Sequence, residues 1–553
     1  MSRVIVIGGG IGGLTAAHEL AERDLEVSVL EAGDRFGGKA RSMPITEEPD
    51  ALHGEHGFRF FPAFYRHVVD TMARIPDGTG TVEDNLVATE ATLIAGVEDP
   101  DRIADTRSPD SLRGWLEALR PAFADDLPAR DARFLLERLA YLLTSCQRRR
   151  EEELDEISWW DFIDADARSP EFRKRVANTT QALVALRPQH ASARTVGTIY
   201  LQLLFGQLDP NRPTERILNA PTNEAWIDPW SRYLEDLGVE LRPGTPVTGL
   251  EVDGRQIAGV TLENGETLTA EEYVLAVPVE VAPKFVTPEL TRVAPELGRI
   301  ERLETAWMNG VQFYLSEDVP LTRGHQVYAD SPWALTSISQ AQFWTDYDLT
   351  ERDPAVEGVL SVIASDWESP GIVYGKPARE CTREEVVTEI WEQLKAHLNR
   401  PAEVLSDDHL VEWFLDPAIV ESGDSEGQRG DDTAVENRSP LLINTVGSLK
   451  NRPPADVAVE NLTLASDYVR TNSDLASMES ANEAGRRAAN AILERQAVSG
   501  SRAQIWELRE PVVFEPPKRE DAIRYRLGLP HPAEVTQSVR SVATAAGALF
   551  SRR

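Results

Sequence analysis

The residues best suited to chemistry stand at the start of the chain. Arg3-Val4-Ile5-Val6-Ile7 leads into Gly8-Gly9-Gly10-Ile11-Gly12-Gly13, which opens a helical pattern. A second strand pattern, Glu26–Leu30, then ends on Glu31, 18 residues after Gly13. In a strand–turn–helix unit of this kind Gly8 allows the tight turn, Gly10 lets the backbone approach a pyrophosphate, and Gly13 lets helix and strand pack closely. The helix start adds unsatisfied N–H groups and the positive end of its dipole. Glu31 stands where a carboxylate accepts from a ribose 2'-hydroxyl, so the spacing predicts an adenosine diphosphate half without a 2'-phosphate.

Other segments carry chemistry less specifically. Ala32 to Ser42 holds a second glycine turn, Gly37-Gly38, with the cations Arg35, Lys39 and Arg41. Gly54 to Pro62 brings Gly54, Gly57, Phe58, Phe60 and Phe61 together with Arg59, ahead of an expected helix from Tyr65 to Ile75. Near the end, Asn461–Tyr468 reads as a strand closing on Asp467, and a helix with Ser477 near its start follows. His53 and His56 flank Glu55, but with no third clustered ligand no metal is expected. The formal G-x-S-x-G at Gly423, Ser425 and Gly427 sits in a polar run without the strand-to-helix elbow it requires, so it reads as chance.

The elements that must position these residues divide the chain. A helical pattern from about residue 110 to 208 includes Arg133–Leu143, with apolar residues three and four apart. The charge run after Arg148 reads as a solvated helix face. Residues 230–278 read as short strands with a hairpin signal at Asn264-Gly265, returning to the nucleotide-binding unit. The expected division is nucleotide-binding segments at 1–90, 229–298 and 441–495, substrate-domain segments at 91–228 (helical) and 299–440, and a tail at 496–553, rich in proline and charge, with no function assigned.

Length and charge narrow the class. With 553 residues the chain exceeds one ordinary core. Its two cysteines, Cys146 and Cys381, form no metal-binding pair, and no signal-peptide pattern precedes the first strand, so a cytoplasmic protein is expected. No apolar run is long enough to span a bilayer, which leaves a peripheral membrane contact open. A net charge of −34, from 91 acidic and 57 basic residues, argues against nucleic acid and anionic lipid as partners. Only seven of the basic residues are lysine, as in proteins of a salt-rich cytoplasm or a high-GC genome.

Taken together, residues 4–42, 54–62 and 461–492 resemble one superfamily: the flavin-dependent amine oxidases and phytoene-desaturase-like oxidoreductases. The first segment is similar to its V-x-V-x-G-x-G-x-x-G…E-A-x-x-R-x-G-G-[KR] signature and the second to its flavin-facing segment. The third is similar to the closing L-A-G-D-Y…A-S-M-E-G-A…G motif of plant-type carotenoid desaturases, with hydroxysqualene-dehydroxylase-like proteins also near in motif. The resemblance implies an α/β fold in which a discontinuous Rossmann-type FAD-binding domain carries an inserted mixed α+β substrate domain. It implies that Gly8, Gly10, Gly12 and Gly13 cradle the pyrophosphate of FAD, that Glu31 and Ala32 meet the adenosine ribose, and that Gly38 and Lys39 lie near the phosphates. Val247 would offer backbone contacts to adenine, Asp467 would meet the ribitol or pyrophosphate, and Gly57, Phe58 and the backbone of Ser477 and Met478 would face the flavin.

Departures bear on the substrate. Ser466 and Ser480 replace motif glycines, and Ala225 stands where plant-type phytoene desaturases carry arginine, which speaks against phytoene itself. The strand candidates 306–315 and 359–364 lack the lysine that amine oxidases place near flavin N5. Trp159, Trp160, Phe205, Trp226, Trp230 and Trp307 are candidates either for an apolar channel or for ordinary core packing. Arg59 is the single side-chain candidate for contact with substrate, and a phosphate-paired or surface role explains it equally. The expected activity is FAD-dependent dehydrogenation of an apolar isoprenoid of carotenoid or squalene type, with hydride moving to flavin N5; the electron acceptor, oxygen, a quinone or another, is not set by the sequence. Alternatives are an amine or amino-acid oxidase and a redox-neutral isomerase or dehydroxylase. The oligomeric state is not set by these features.

Overall fold

Apart from Ser28, Val4–Ile7 and Val27–Leu30 are apolar without alternation, the pattern of strands covered on both faces, and all of them, Ser28 included, are buried in the computed structural model. The structure describes residues 2–48, 51–97, 101–105, 127–177, 179–207, 212–422 and 434–534. Five parallel strands form one sheet in the order Glu240–Arg242, Glu26–Leu30, Arg3–Ile7, Glu272–Leu275, Leu462–Leu464. Three distant stretches of chain thus build a single nucleotide-type sheet. Its first and last helices, Ile11–Ala21 and Met478–Arg495, pack on each other so closely that a Cβ on Gly485 would stand 2.5 Å from the Gly12 carbonyl oxygen.

A second, seven-stranded sheet runs Arg102–Asp105, Ala91–Ala95, Gln326–Tyr328, Thr336–Ser339, Gly358–Ala364, Asn309–Leu315, Leu410–Leu415. Its pairs are antiparallel except Ala91–Ala95 with Gln326–Tyr328. The two strands from the front of the expected helical stretch therefore belong to this sheet. Helices follow at Ala129–Thr144, Trp159–Phe162, Thr179–Val184 and Ala193–Gln207. Of the strands expected after residue 230, Glu240–Arg242 and Glu272–Leu275 join the parallel sheet, and Val247–Asp253, Gln256–Leu262 and Thr267–Leu268 form a meander turned at Gly265 with φ +84°. The helix expected from Tyr65 to Ile75 is shorter, His67–Met72. Gly423, Ser425 and Gly427 lie outside the described residues. Both cysteines are buried and unpaired. No helix among the described residues is long and apolar enough to cross a membrane.

The charge run after Arg148 departs from a solvated face. Arg148 and Glu152 pair on the surface at 2.9 Å, but Arg149 is buried and donates to Asp521 at 3.0 Å, while Arg150 reaches Glu510 at 2.6 Å. The cause is the tail: its helix Glu515–Arg526 covers this segment, and Asp521 also accepts from the Cys146 N–H at 2.9 Å.

Candidate functional site

The glycine turn, the segment His56–Phe60 and the start of the closing helix share one cavity of about 920 Å³, walled mainly by apolar atoms. At one end Gly8 takes φ +105°, and a Cβ there would stand 2.7 Å from the Ala276 carbonyl oxygen. Glu31 organises this turn: its carboxylate accepts the Gly9 N–H at 2.7 Å and the Gly33 N–H at 2.8 Å. The second glycine turn docks on the first through the Gly37 N–H to the Gly9 carbonyl, 2.8 Å. From the far side of the sheet, Ser466 and Asp467 follow the strand Leu462–Leu464 onto the cavity wall. Ser477, in extended conformation, caps Met478–Arg495 by accepting the Ser480 N–H at 3.2 Å. Two helix starts therefore converge on the cavity, each with N–H groups suited to negative charge.

Gly8, Gly10, Gly12, Glu31, Ala32, Gly38, Lys39, Gly57, Phe58, Arg59, Val247, Asp467, Ser477 and Met478 all line this cavity. Gly13 does not. It lies behind the turn, where a Cβ would stand 2.0 Å from the Gly8 carbonyl oxygen, so its role is the close helix–strand approach and not the cradle. Lys39 has its ammonium bound to Glu280 at 2.9 Å and to the Pro440 carbonyl at 2.5 Å. Arg59 turns back on its own segment, with Nη1 donating to the Gly57 carbonyl at 2.6 Å and Nη2 to that of Lys39. Burial lowers its pKa, and the charges of Glu55 and Asp416 oppose that.

Between the two ends, the strand Asn309–Leu315 lies directly under His56 and Gly57. A Cβ on Gly310 would be 2.8 Å from both the Gly57 Cα and the His56 carbonyl oxygen. His56 Nδ1 is 2.5 Å from Asp416 Oδ2, and Nε2 is buried without a hydrogen-bond partner among the described residues. Asp416 also accepts from Asn309 at 2.6 Å and the Ala418 N–H at 3.0 Å. Burial would raise its pKa, but His56 and these donors outweigh it and hold the carboxyl below its usual range. Sequence reasoning met His56 only as a metal candidate and missed Asp416, which is 360 positions away in the sequence and joined to it only by folding. His53 faces elsewhere, 3.0 Å from the Tyr347 hydroxyl.

Comparison with known proteins decides the family. Residues 11–493 match the model of the flavin containing amine oxidoreductases. The chain belongs to that family. This flavin-containing amine oxidoreductase is 37% identical to the flavin-dependent L-tryptophan oxidase RebO of Lentzea aerocolonigenes, over 73% of this chain and 83% of that one. It is 27% identical to the carotenoid phi-ring synthase of Streptomyces griseus, over 91% and 89% of the two chains. With the zeta-carotene desaturase of a Synechocystis strain it shares 24% identity over 90% and 98%. It is an FAD-dependent oxidoreductase with a Rossmann-type α/β architecture.

The residues present fit FAD. Gly10 leaves its cavity face open, since a Cβ there would have Gly38 Cα, at 3.8 Å, as its one neighbour within 4 Å. The buried Nε of Arg59 and Nε2 of His56 are polar atoms with no partner of their own among the described residues, and both residues line the cavity. Arg59 holds the backbone of two cofactor-facing segments together, so Arg59→Met removes two charge-assisted hydrogen bonds. It is expected to weaken FAD binding to the apoprotein by about tenfold or more, at roughly 1.5–3 kcal/mol for each such bond. Titration of apoprotein with FAD reads this, and an unchanged Kd would remove Arg59 from the account.

Of the six aromatics considered for a channel, Trp159, Trp226 and Trp230 are buried core residues and Trp160, Phe205 and Trp307 pack partly buried against the cores. None lines this cavity. Trp226 and Trp230 stack at 6.0 Å beside the first helix, Trp159 stacks on Tyr200 at 5.2 Å, and Trp307 meets Trp367 edge-on at 5.3 Å. Trp160 and Phe205 pack in the helical core. Large rings supply the most buried area per residue, and these serve packing of the helices and, for Trp307, of the seven-stranded sheet. The apolar end of the cavity is walled instead by Phe58, Phe60, Leu186, Val196, Ile199, Leu203, Met308 and Ile363.

Proposed function

We propose that this FAD-dependent oxidoreductase dehydrogenates an apolar isoprenoid of the carotenoid or squalene class. The observation that carries the reading is the apolar chamber continuous with the cofactor cleft. The adjoining strands Asn309–Leu315 and Gly358–Ala364 carry no lysine. The carotenoid-acting relatives, which the chain matches nearly end to end, support the same substrate class. Substrates of this kind partition into membranes, so a peripheral membrane contact goes with this reading.

Gly8, Gly10 and Gly12 hold the pyrophosphate in this account, Glu31 and Ala32 the ribose, and Val247 the adenine. Gly38, Lys39 and Asp467 complete the phosphate and ribitol contacts. Gly57, Phe58, Ser477 and Met478 face the ring, with Arg59 bracing their backbone. FAD, when bound, supplies a hydride acceptor. The chain's share of catalysis is positioning and exclusion of water: Phe58, Phe60 and Ile363 press the chain of the substrate into one path. The expected domain limits, with nucleotide-binding segments at 1–90, 229–298 and 441–495, belong to this proposal.

A second reading, oxidation of an amine or amino acid, is favoured by the L-tryptophan oxidase relative. Anaerobic stopped-flow absorbance separates the two. The oxidised-flavin band is expected to disappear on mixing with long isoprenoids and to persist with amines and L-amino acids. Bleaching by amines or amino acids alone would overturn the proposal.

A further inference from the structure

We infer that Glu215 and His325 form a polar anchor in the apolar chamber that binds a hydroxyl group on the isoprenoid substrate. The inference rests on the isoprenoid reading above and narrows it to hydroxylated members of the class.

Glu215 opens the strand Glu215–Leu218, which is fixed on one side by Phe61–Pro62 and on the other by Leu86–Ala88. Alternation along the strand sends Arg216 outward to Glu83, at 3.2 Å, and keeps Glu215 on the side of Ile217, which packs with Phe58 and Ile363. His325 arrives just before the strand Gln326–Tyr328, its carbonyl held by the Leu93 N–H at 2.8 Å. The imidazole stands edge-on to Phe58 at 5.0 Å and to Phe60 at 5.3 Å. Both residues line the cavity. The other titratable groups on its wall among the described residues come from segments 31–65 and 416–467, with Tyr65 paired to Ser477 at the start of the closing helix.

The pair is incomplete as it stands. His325 Nδ1 and Glu215 Oε2 are 3.8 Å apart, beyond hydrogen-bond reach. Glu215 Oε1 is buried with no hydrogen-bond partner among the described residues, while the side chain as a whole is 13% exposed. A carboxylate oxygen buried short of donors is unfavourable unless something supplies them, and an apolar side chain would serve packing better. The gap suits a hydroxyl. A hydroxyl both donates and accepts, so it can donate a hydrogen bond to Glu215 and pair with the facing imidazole nitrogen in either tautomer, whereas an ammonium, with three donors and no acceptor, can meet the imidazole only at its unprotonated nitrogen.

The test is binding to the FAD-loaded protein under anaerobic conditions, read from ligand-induced change in the flavin spectrum. The ligands are geranylgeraniol, the hydrocarbon lacking its hydroxyl, and geranylgeranylamine. The wild type is expected to bind the alcohol at least about tenfold more tightly than the hydrocarbon, the scale of discrimination that a site's unpaired polar groups provide. Glu215→Leu is expected to abolish or reverse that ratio while hydrocarbon binding persists, and Glu215→Gln to retain part of it. His325→Phe, which keeps a ring against Phe58 and Phe60, is expected to reduce it. FAD content reports that each variant is folded. Equal alcohol-to-hydrocarbon ratios in the wild type and Glu215→Leu would overturn the anchor and leave the isoprenoid reading standing, as would a preference for the amine over the alcohol. Failure of all three ligands to bind, with bleaching by amino acids, would overturn both.

Discussion

Gly13→Val is expected to yield protein without bound FAD and with a sharply lowered melting temperature. The added Cβ would stand 2.0 Å from the Gly8 carbonyl oxygen and 3.1 Å from the Ala276 Cβ. Both neighbours belong to adjacent central strands or the turn leaving them, so relief requires moving backbone and not a side chain. The loss should exceed the roughly 1–3 kcal/mol of ordinary core overpacking. Gly10→Ala provides the contrast. Its Cβ meets Gly38 Cα at 3.8 Å, an ordinary contact, so the fold and melting temperature should survive while FAD affinity falls, because the methyl group occupies space the pyrophosphate needs. Flavin-to-protein absorbance ratios and thermal unfolding of the two variants read both effects. A Gly13→Val protein with full flavin and unchanged melting would refute the packing role.

That contrast also marks what the sequence could reveal. The glycine turn was legible because its constraint is local: five residues of strand, the turn and the helix start are contiguous, and each glycine has a steric reason. The strands after residue 230 were legible for the same reason, through alternation and the Asn264-Gly265 turn. What escaped was decided by partners distant in sequence. Trp226 and Trp230 look alike as channel walls or core until the helix Ile11–Ala21 is placed against them, with the Trp230 indole donating to His18 Nδ1 at 3.0 Å. Arg149 looks like a surface charge until the tail brings Asp521 to it. Glu215 and His325 carry no local pattern at all. Glu215 opens a strand of one sheet and His325 precedes a strand of another, and a single acid at a strand's start is ordinary in sequence. Of the cavity lining, the glycine turns were legible in sequence and the Glu215–His325 wall was not, because the first is built from backbone turns and the second from side chains gathered by folding.

Glu479→Ala is expected to cost about 3–5 kcal/mol of stability, the scale for breaking a buried charged pair, and to release FAD. Glu479 is the acid of the closing Ala476-Ser477-Met478-Glu479 segment. Its buried carboxylate accepts the N–H groups of Arg66, His67 and Val68 at 2.8, 2.9 and 3.0 Å, and His67 Nδ1 lies 2.7 Å away. It therefore caps the helix His67–Met72 from across the molecule, and it locks the flavin-facing start of Met478–Arg495 to the segment that follows Phe58 and Phe60. Burial by itself would raise the carboxyl's pKa, but the hydrogen bond and charge of His67 and the backbone donors outweigh it, so the folded-state pKa lies below the usual value near 4.5. The unfolded chain thus binds this proton more readily than the folded one. The stability Glu479 contributes is whole above that usual value and is lost as pH falls through the folded pKa. The stability difference between wild type and Glu479→Ala, measured by denaturant unfolding, should be constant from pH 7 to about 5 and shrink toward pH 3. A difference that stays flat to pH 3 would mean that the carboxylate charge does not hold these two segments together.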